Sequence, residues 1–172
     1  AFEKVSGQDL NWFSNQWFFK SGHPKLDIQR VYNDTTKLLT VTVKQTQDAE
    51  KFPIFRLPID IDIYTNEFNS PDRFSVVLDK AEHTFKYPLN KAPIWVAVDA
   101  ERNTLCERSE KQTPEQWAVQ YKLGKNFHNR YYALNELKKA QTKSAIAKET
   151  LLSALDDKFW NIRQSAIDGL SP

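Results

Sequence analysis

Hydrophobic positions along the 172-residue chain change period twice, dividing it into three stretches. In the first, Leu10, Phe13, Trp17 and, beside them, Phe18 recur at three- and four-residue steps, the spacing of one helix face. Ser6 followed by Asp9 is close to a capping box, Gly22 suits a helix end, and Pro24 forbids continuation. The pattern predicts a single helix running from this start towards Gly22. Trp12, Phe13, Trp17, Phe18 and Phe19 crowd five rings into it. Adjacent helical residues stand about 100° apart, so these rings must wrap over half the circumference. A small sheet covers one side only. Part of the aromatic surface is therefore expected to be exposed, or covered by a partner.

After Pro24 the pattern alternates. Leu26, Ile28 and, after Arg30, Tyr32 share one strand face. Asn33-Asp34-Thr35-Thr36 is turn chemistry, and Leu39, Val41 and Val43 then alternate with Thr40, Thr42 and Lys44, which predicts a β-hairpin. Phe55, Leu57, Ile59, Ile61 and Ile63 form the longest alternating run, with Pro58 inside it demanding an edge position or a bulge. Shorter runs follow at Phe74–Leu78, Phe85–Tyr87 and Ile94–Val98. Six or seven strands with no helix between them indicate an antiparallel, immunoglobulin-like sandwich over residues 25–105.

From residue 106 the period is helical again. Thr113-Pro114-Glu115-Gln116 combines an N-cap, proline at N1 and an acid in the first turn. Helices follow to Leu123 and over 126–140, 144–155 and 158–170. Arg130–Leu137 and Arg163–Leu170 share the pattern Arg-x-x-Ala-(Leu/Ile)-(Asn/Asp)-x-Leu, offset by 33 residues. A helical hairpin repeated at that period predicts a HEAT-like array over residues 106–172. The predicted fold is thus multi-domain: one helix, an all-β sandwich, then an all-α array.

Composition narrows the functional classes. The 40% apolar and 27% charged residues are ordinary for a globular protein, and a net charge of +2 gives no basic stripe for nucleic acid. No apolar run reaches the length of a membrane span, and no signal peptide opens the chain. Cys106 stands alone, which excludes an internal disulfide and leaves the redox compartment open. The absence of methionine, even at position 1, suggests a chain processed or cut from something longer.

No catalytic constellation stands out. His23, His83 and His128 lack the short spacing of zinc ligands. Asp60 and Asp62 share a strand face, which fits a carboxylate pair or, more simply, a solvated face. Cys106 has no histidine close in sequence, so it reads as structural unless the fold supplies a base. Asn33-Asp34-Thr35 fits a glycosylation tripeptide and equally a hairpin turn.

One stretch carries a resemblance. Ser6-Gly7, Asp9-Leu10, Phe13, Trp17, Gly22 and Pro24 resemble the SG-x-DL-xx-F-xxx-W-xxxx-G-x-P stretch of the aminopeptidase N-like zinc peptidases, the gluzincin family. The resemblance implies that residues 1–24 end an upstream catalytic domain, with the sandwich and helical domains following it. It implies no catalytic or metal residue in this chain, because the H-E-x-x-H zinc motif, the downstream glutamate ligand and the G-x-M-E-N motif have no match here. Zinc is expected only in the parent enzyme. The implied partners are the upstream catalytic domain, meeting Trp12, Phe13, Trp17, Phe18 and Phe19, and a peptide substrate. Arg130 and Arg163 are candidates for the substrate side, or repeat arginines that bond a neighbouring loop. The implied role is to brace the catalytic domain and cap its peptide cavity. A scaffold or protein-binding module without peptidase activity is the alternative.

Overall fold

The computed structural model describes residues 2–68 and 70–171. Two short helices open it, α1 (Phe2–Ser6) and α2 (Asn11–Trp17). The single long helix expected from the sequence is therefore split. Gly7, at φ +67°, closes α1 with its N–H on the Glu3 carbonyl at 2.8 Å, so Ser6-Gly7 ends a helix rather than starting one. Asp9 accepts from the Asn11 N–H at 2.8 Å in a local turn, and α2 stops five residues before Gly22. Gly22 is also left-handed, at φ +90°, where a Cβ would lie 2.3 Å from the Phe52 ring.

Among the described residues seven strands follow: β1 (Lys25–Asn33), β2 (Leu38–Gln45), β3 (Leu57–Tyr64), β4 (Asp72–Leu78), β5 (Glu82–Pro88), β6 (Trp95–Val98) and β7 (Glu107–Glu110). They build a four-stranded sheet ordered β5-β2-β1-β7 and a three-stranded sheet ordered β4-β3-β6. The β1–β2 hairpin pairs Leu26 with Gln45 through Asn33 with Leu38, as the alternation predicts. The Asn33 side chain accepts the Thr36 N–H at 3.0 Å to close its turn. Pro58 pairs opposite Val77 on β4, while β6 meets β3 only from Ile61 onward, so the proline sits where β3 has one neighbour.

β7 corrects the antiparallel expectation. It lies beyond residue 105 and runs parallel to β1, Lys25 opposite Glu107 through Ile28 opposite Glu110. The first sheet is therefore mixed. Leu26, Ile28, Leu39, Val41 and Val43 from this sheet and Leu57, Ile59, Ile61, Ile63 and Val98 from the other form one shared core.

Among the described residues four helices follow: α3 (Pro114–Leu123), α4 (Phe127–Ala140), α5 (Ala145–Ser153) and α6 (Trp160–Leu170), with a 3-10 turn over Ala154–Asp156. Thr113 and Gln116 form a complete capping box on α3, and Asn126 and Ser144 cap α4 and α5. The helices bury their own core of Trp117, Leu134, Leu137, Leu151 and Ile162. A third cluster, Tyr64, Trp95, Ala97 and Ala100 with Val119 and Leu123 against it, joins the three-stranded sheet to α3. The architecture is a pair of sheets followed by helices. Among the described residues no helix is long and apolar enough to cross a membrane.

Candidate functional site

The α2 surface presents the five rings unequally. Trp17 packs on Phe55 of the sheet core at 5.4 Å, and Trp12 is half-buried with the Arg56 guanidinium 4.6 Å over its ring. Phe13, Phe18 and Phe19 are 40%, 73% and 78% exposed. Gln16 anchors α2 by a two-way bond to one backbone position, accepting from the Arg56 N–H at 2.6 Å and donating to its carbonyl at 3.1 Å. A groove of about 500 Å³ runs beside the helix, walled by Trp12, Phe13, Trp17, Pro58 and Leu105. Its lining is mainly apolar, with Arg56, Asn103 and Thr104 at its edge.

Arg130 and Arg163 converge on one loop. Arg130 donates to the Asp157 carboxylate at 3.1 and 3.4 Å and to the Lys125 carbonyl at 3.3 Å. Arg163 donates to the Asp157 and Lys158 carbonyls at 2.8 and 3.2 Å. Lys125 and Lys158 are separated by the same 33 residues as the arginines, so the offset seen in the sequence recurs in the bonding. Tyr121 also donates to Asp157, at 3.1 Å; burial, then the charge of Asp157, pushes its hydroxyl well above the usual tyrosine range.

The remaining candidates stay apart. His23 bonds Glu107 at 2.7 Å, His83 accepts the Asp79 and Lys80 N–H groups at 3.1 Å, and His128 stands at the exposed start of α4. Among the described residues no group of three or more His, Cys, Asp or Glu side chains could hold a metal ion. Asp62 is not on a solvated face as expected. It is buried and held by the Arg73 guanidinium through two bonds of 2.7 Å. Asp60 accepts from Ser75 at 2.6 Å. Cys106 is half-buried, with Arg108 Nη2 3.8 Å from its sulfur.

A buried ionic cluster escaped the sequence. Glu110 on β7 receives Arg30 of β1 at 2.6 Å, Arg108 at 3.2 Å and Arg102 at 3.5 Å, and Arg108 also meets Asp99 at 3.3 Å. Arg102 donates to Asn129 of α4 at 2.6 Å and lies 5.4 Å from the centre of the Tyr132 ring. Asn126 and Asn129 both donate to the Ala100 carbonyl, and the Tyr132 hydroxyl to that of Arg108. These bonds rivet the sheets to α4. Burial works to raise the Glu110 carboxyl, but Arg30, Arg108 and Arg102 together hold it below the usual range. One signal was present in the sequence: Arg30 occupies the inward parity of β1, two residues after buried Ile28.

No family model and no curated protein sequence matches the chain. A solved structure does: aminopeptidase A of Legionella pneumophila in complex with aspartic acid, with a TM-score of 0.69 at 17% identity. That match covers 98% of this chain and 20% of the aminopeptidase. The chain thus shares the fold of about a fifth of an aminopeptidase.

Proposed function

We propose that the chain is the non-catalytic, post-catalytic segment of an aminopeptidase N-like zinc peptidase. The observation that carries the reading is the exposed aromatic seat at α2, on a chain whose fold matches a fifth of an aminopeptidase. In this reading the two sheets are an immunoglobulin-like sandwich bracing the upstream catalytic domain, which covers Phe13, Phe18 and Phe19. Each ring fully buried there contributes roughly 1.5–3 kcal/mol. The helices form a HEAT-like array that caps the peptide cavity, with Arg130 and Arg163 shaping its loop. Zinc would be held by the upstream domain rather than by residues of this chain, and would supply activated water for hydrolysis of an N-terminal peptide bond.

The test compares this chain with the same reading frame extended upstream. Alone, it is expected to hold no stoichiometric zinc after dialysis and to release nothing from aminoacyl anilides. The extended protein should do both, and Phe18→Asp with Phe19→Asp should loosen it. Turnover or stoichiometric zinc in the chain alone would place the active site wrongly. An upstream frame without H-E-x-x-H would favour a scaffold module instead.

A further inference from the structure

The buried charges at the sheet–helix junction do not cancel. Arg30, Arg102 and Arg108, with side chains at most 13% exposed, face two carboxylates, Asp99 and Glu110, that are at most 4% exposed. Three cations against two anions leave one positive charge in excess. Arg30 Nη1 is buried without a partner, which marks the same imbalance on the side of the cluster away from the cleft lining. Burial also lowers the Arg102 guanidinium to about 10, with the neighbouring Arg108 charge acting in the same direction. An uncompensated buried cation is destabilising and is relieved by an anion.

The cluster has an open side. Arg102 and Arg108 line a cleft of about 680 Å³ whose other walls include Leu105, His128, Tyr131 and Tyr132. The carboxylate on that lining, Glu107, is already held by His23 at 2.7 Å and Lys25 at 3.0 Å. The cleft therefore pairs guanidinium groups with apolar and aromatic walls. Guanidinium forks favour carboxylate and phosphate. A single excess charge matches a monoanion better than a phosphate, which carries close to two.

We propose that this cleft binds a peptide carboxylate, either a C-terminus or an acidic side chain, with an adjoining apolar side chain against Leu105 and Tyr131. The carboxylate completes the charge balance of Arg102 and Arg108, and the neighbouring rings supply apolar contact. The inference does not depend on an upstream catalytic domain, so it can fail or hold separately from the peptidase reading.

The test uses calorimetric titration of the 172-residue chain with three peptides. Acetyl-Ala-Phe carries a free C-terminal carboxylate, acetyl-Glu-Phe-amide an acidic side chain, and acetyl-Ala-Phe-amide no charge. At least one acidic peptide should bind about tenfold more tightly than the neutral one, and the tighter of the two identifies the source of the carboxylate. Leu105 is 73% exposed and His128 is also exposed, so Leu105→Glu and His128→Glu leave the fold intact while adding a carboxylate at the cleft. Each should weaken binding about tenfold. Equal affinity for all three peptides, no saturable binding of either acid, or unchanged affinity in both variants would overturn the proposal.

Discussion

Replacing Glu110 with glutamine keeps the shape of the side chain and removes the carboxylate shared by Arg30, Arg102 and Arg108. In the folded chain Glu110 is 2% exposed, with guanidinium nitrogens at 2.6, 3.2 and 3.5 Å. The variant raises the buried excess from one positive charge to two. Deleting one partner of such a buried cluster costs about 3–5 kcal/mol. Folded domains are stable by only about 5–15 kcal/mol, so this is a large fraction of the total. Urea unfolding followed by tryptophan fluorescence at neutral pH reads the loss directly.

The same residue fixes a pH dependence. The Glu110 carboxyl is depressed in the folded state, so unfolding raises it towards an ordinary glutamate near pH 4.5. A group depressed on folding contributes stability above its unfolded value and loses it as pH falls through its folded value. The wild type should therefore begin to weaken below about pH 4.5, and once the pH lies under the depressed folded value the neutral Glu110 resembles the glutamine variant. The gap between the two proteins should narrow there. A loss under about 1 kcal/mol at neutral pH, or a gap that stays constant into acid, would refute the clamp.

Two further outcomes follow. Gln16→Ala removes both bonds between α2 and Arg56, one of them 2.6 Å, and should cost about 1–3 kcal/mol while raising protease sensitivity between α2 and β1. Leu134 and Ile167 occupy matching places 33 residues apart, but Leu134 is fully buried and Ile167 is 51% exposed. Leu134→Ala should cost about 2–5 kcal/mol in thermal or urea unfolding, and Ile167→Ala within about 0.5 kcal/mol of nothing.

Features written in local period were legible in the sequence. Six strands fall where alternation placed them, and the capping residues Thr113, Asn126 and Ser144 mark three helix starts. Two features were not. The split of the first helix turns on Gly7, because Ser6-Gly7 can end one helix or begin the next and only packing decides. β7 contains Glu107, Arg108, Ser109 and Glu110, with no apolar residue to announce a strand. Its partners are Arg30 and β1, 80 residues earlier for the Arg30–Glu110 pair, and such distant pairing leaves no periodic trace. The junction cluster was hidden for the same reason, although an arginine at the inward parity of β1 already required a buried acid.

The two helical segments that share the arginine pattern show how sequence similarity and structural equivalence can part company. Arg130 and Arg163 each donate to the carbonyl five residues before themselves, at Lys125 and Lys158. Ala133 and Ala166 are both fully buried, so the spacing of the pattern corresponds to matching backbone surroundings. Yet their caps differ: Asn126 accepts the Asn129 N–H, whereas Phe159 at the matching place has no side chain to offer. Asp157 takes over part of that work by accepting the Phe159 N–H at 2.9 Å while also holding Arg130. One aspartate thus ties the start of α6 to α4, and the two segments are joined through the place where their caps differ.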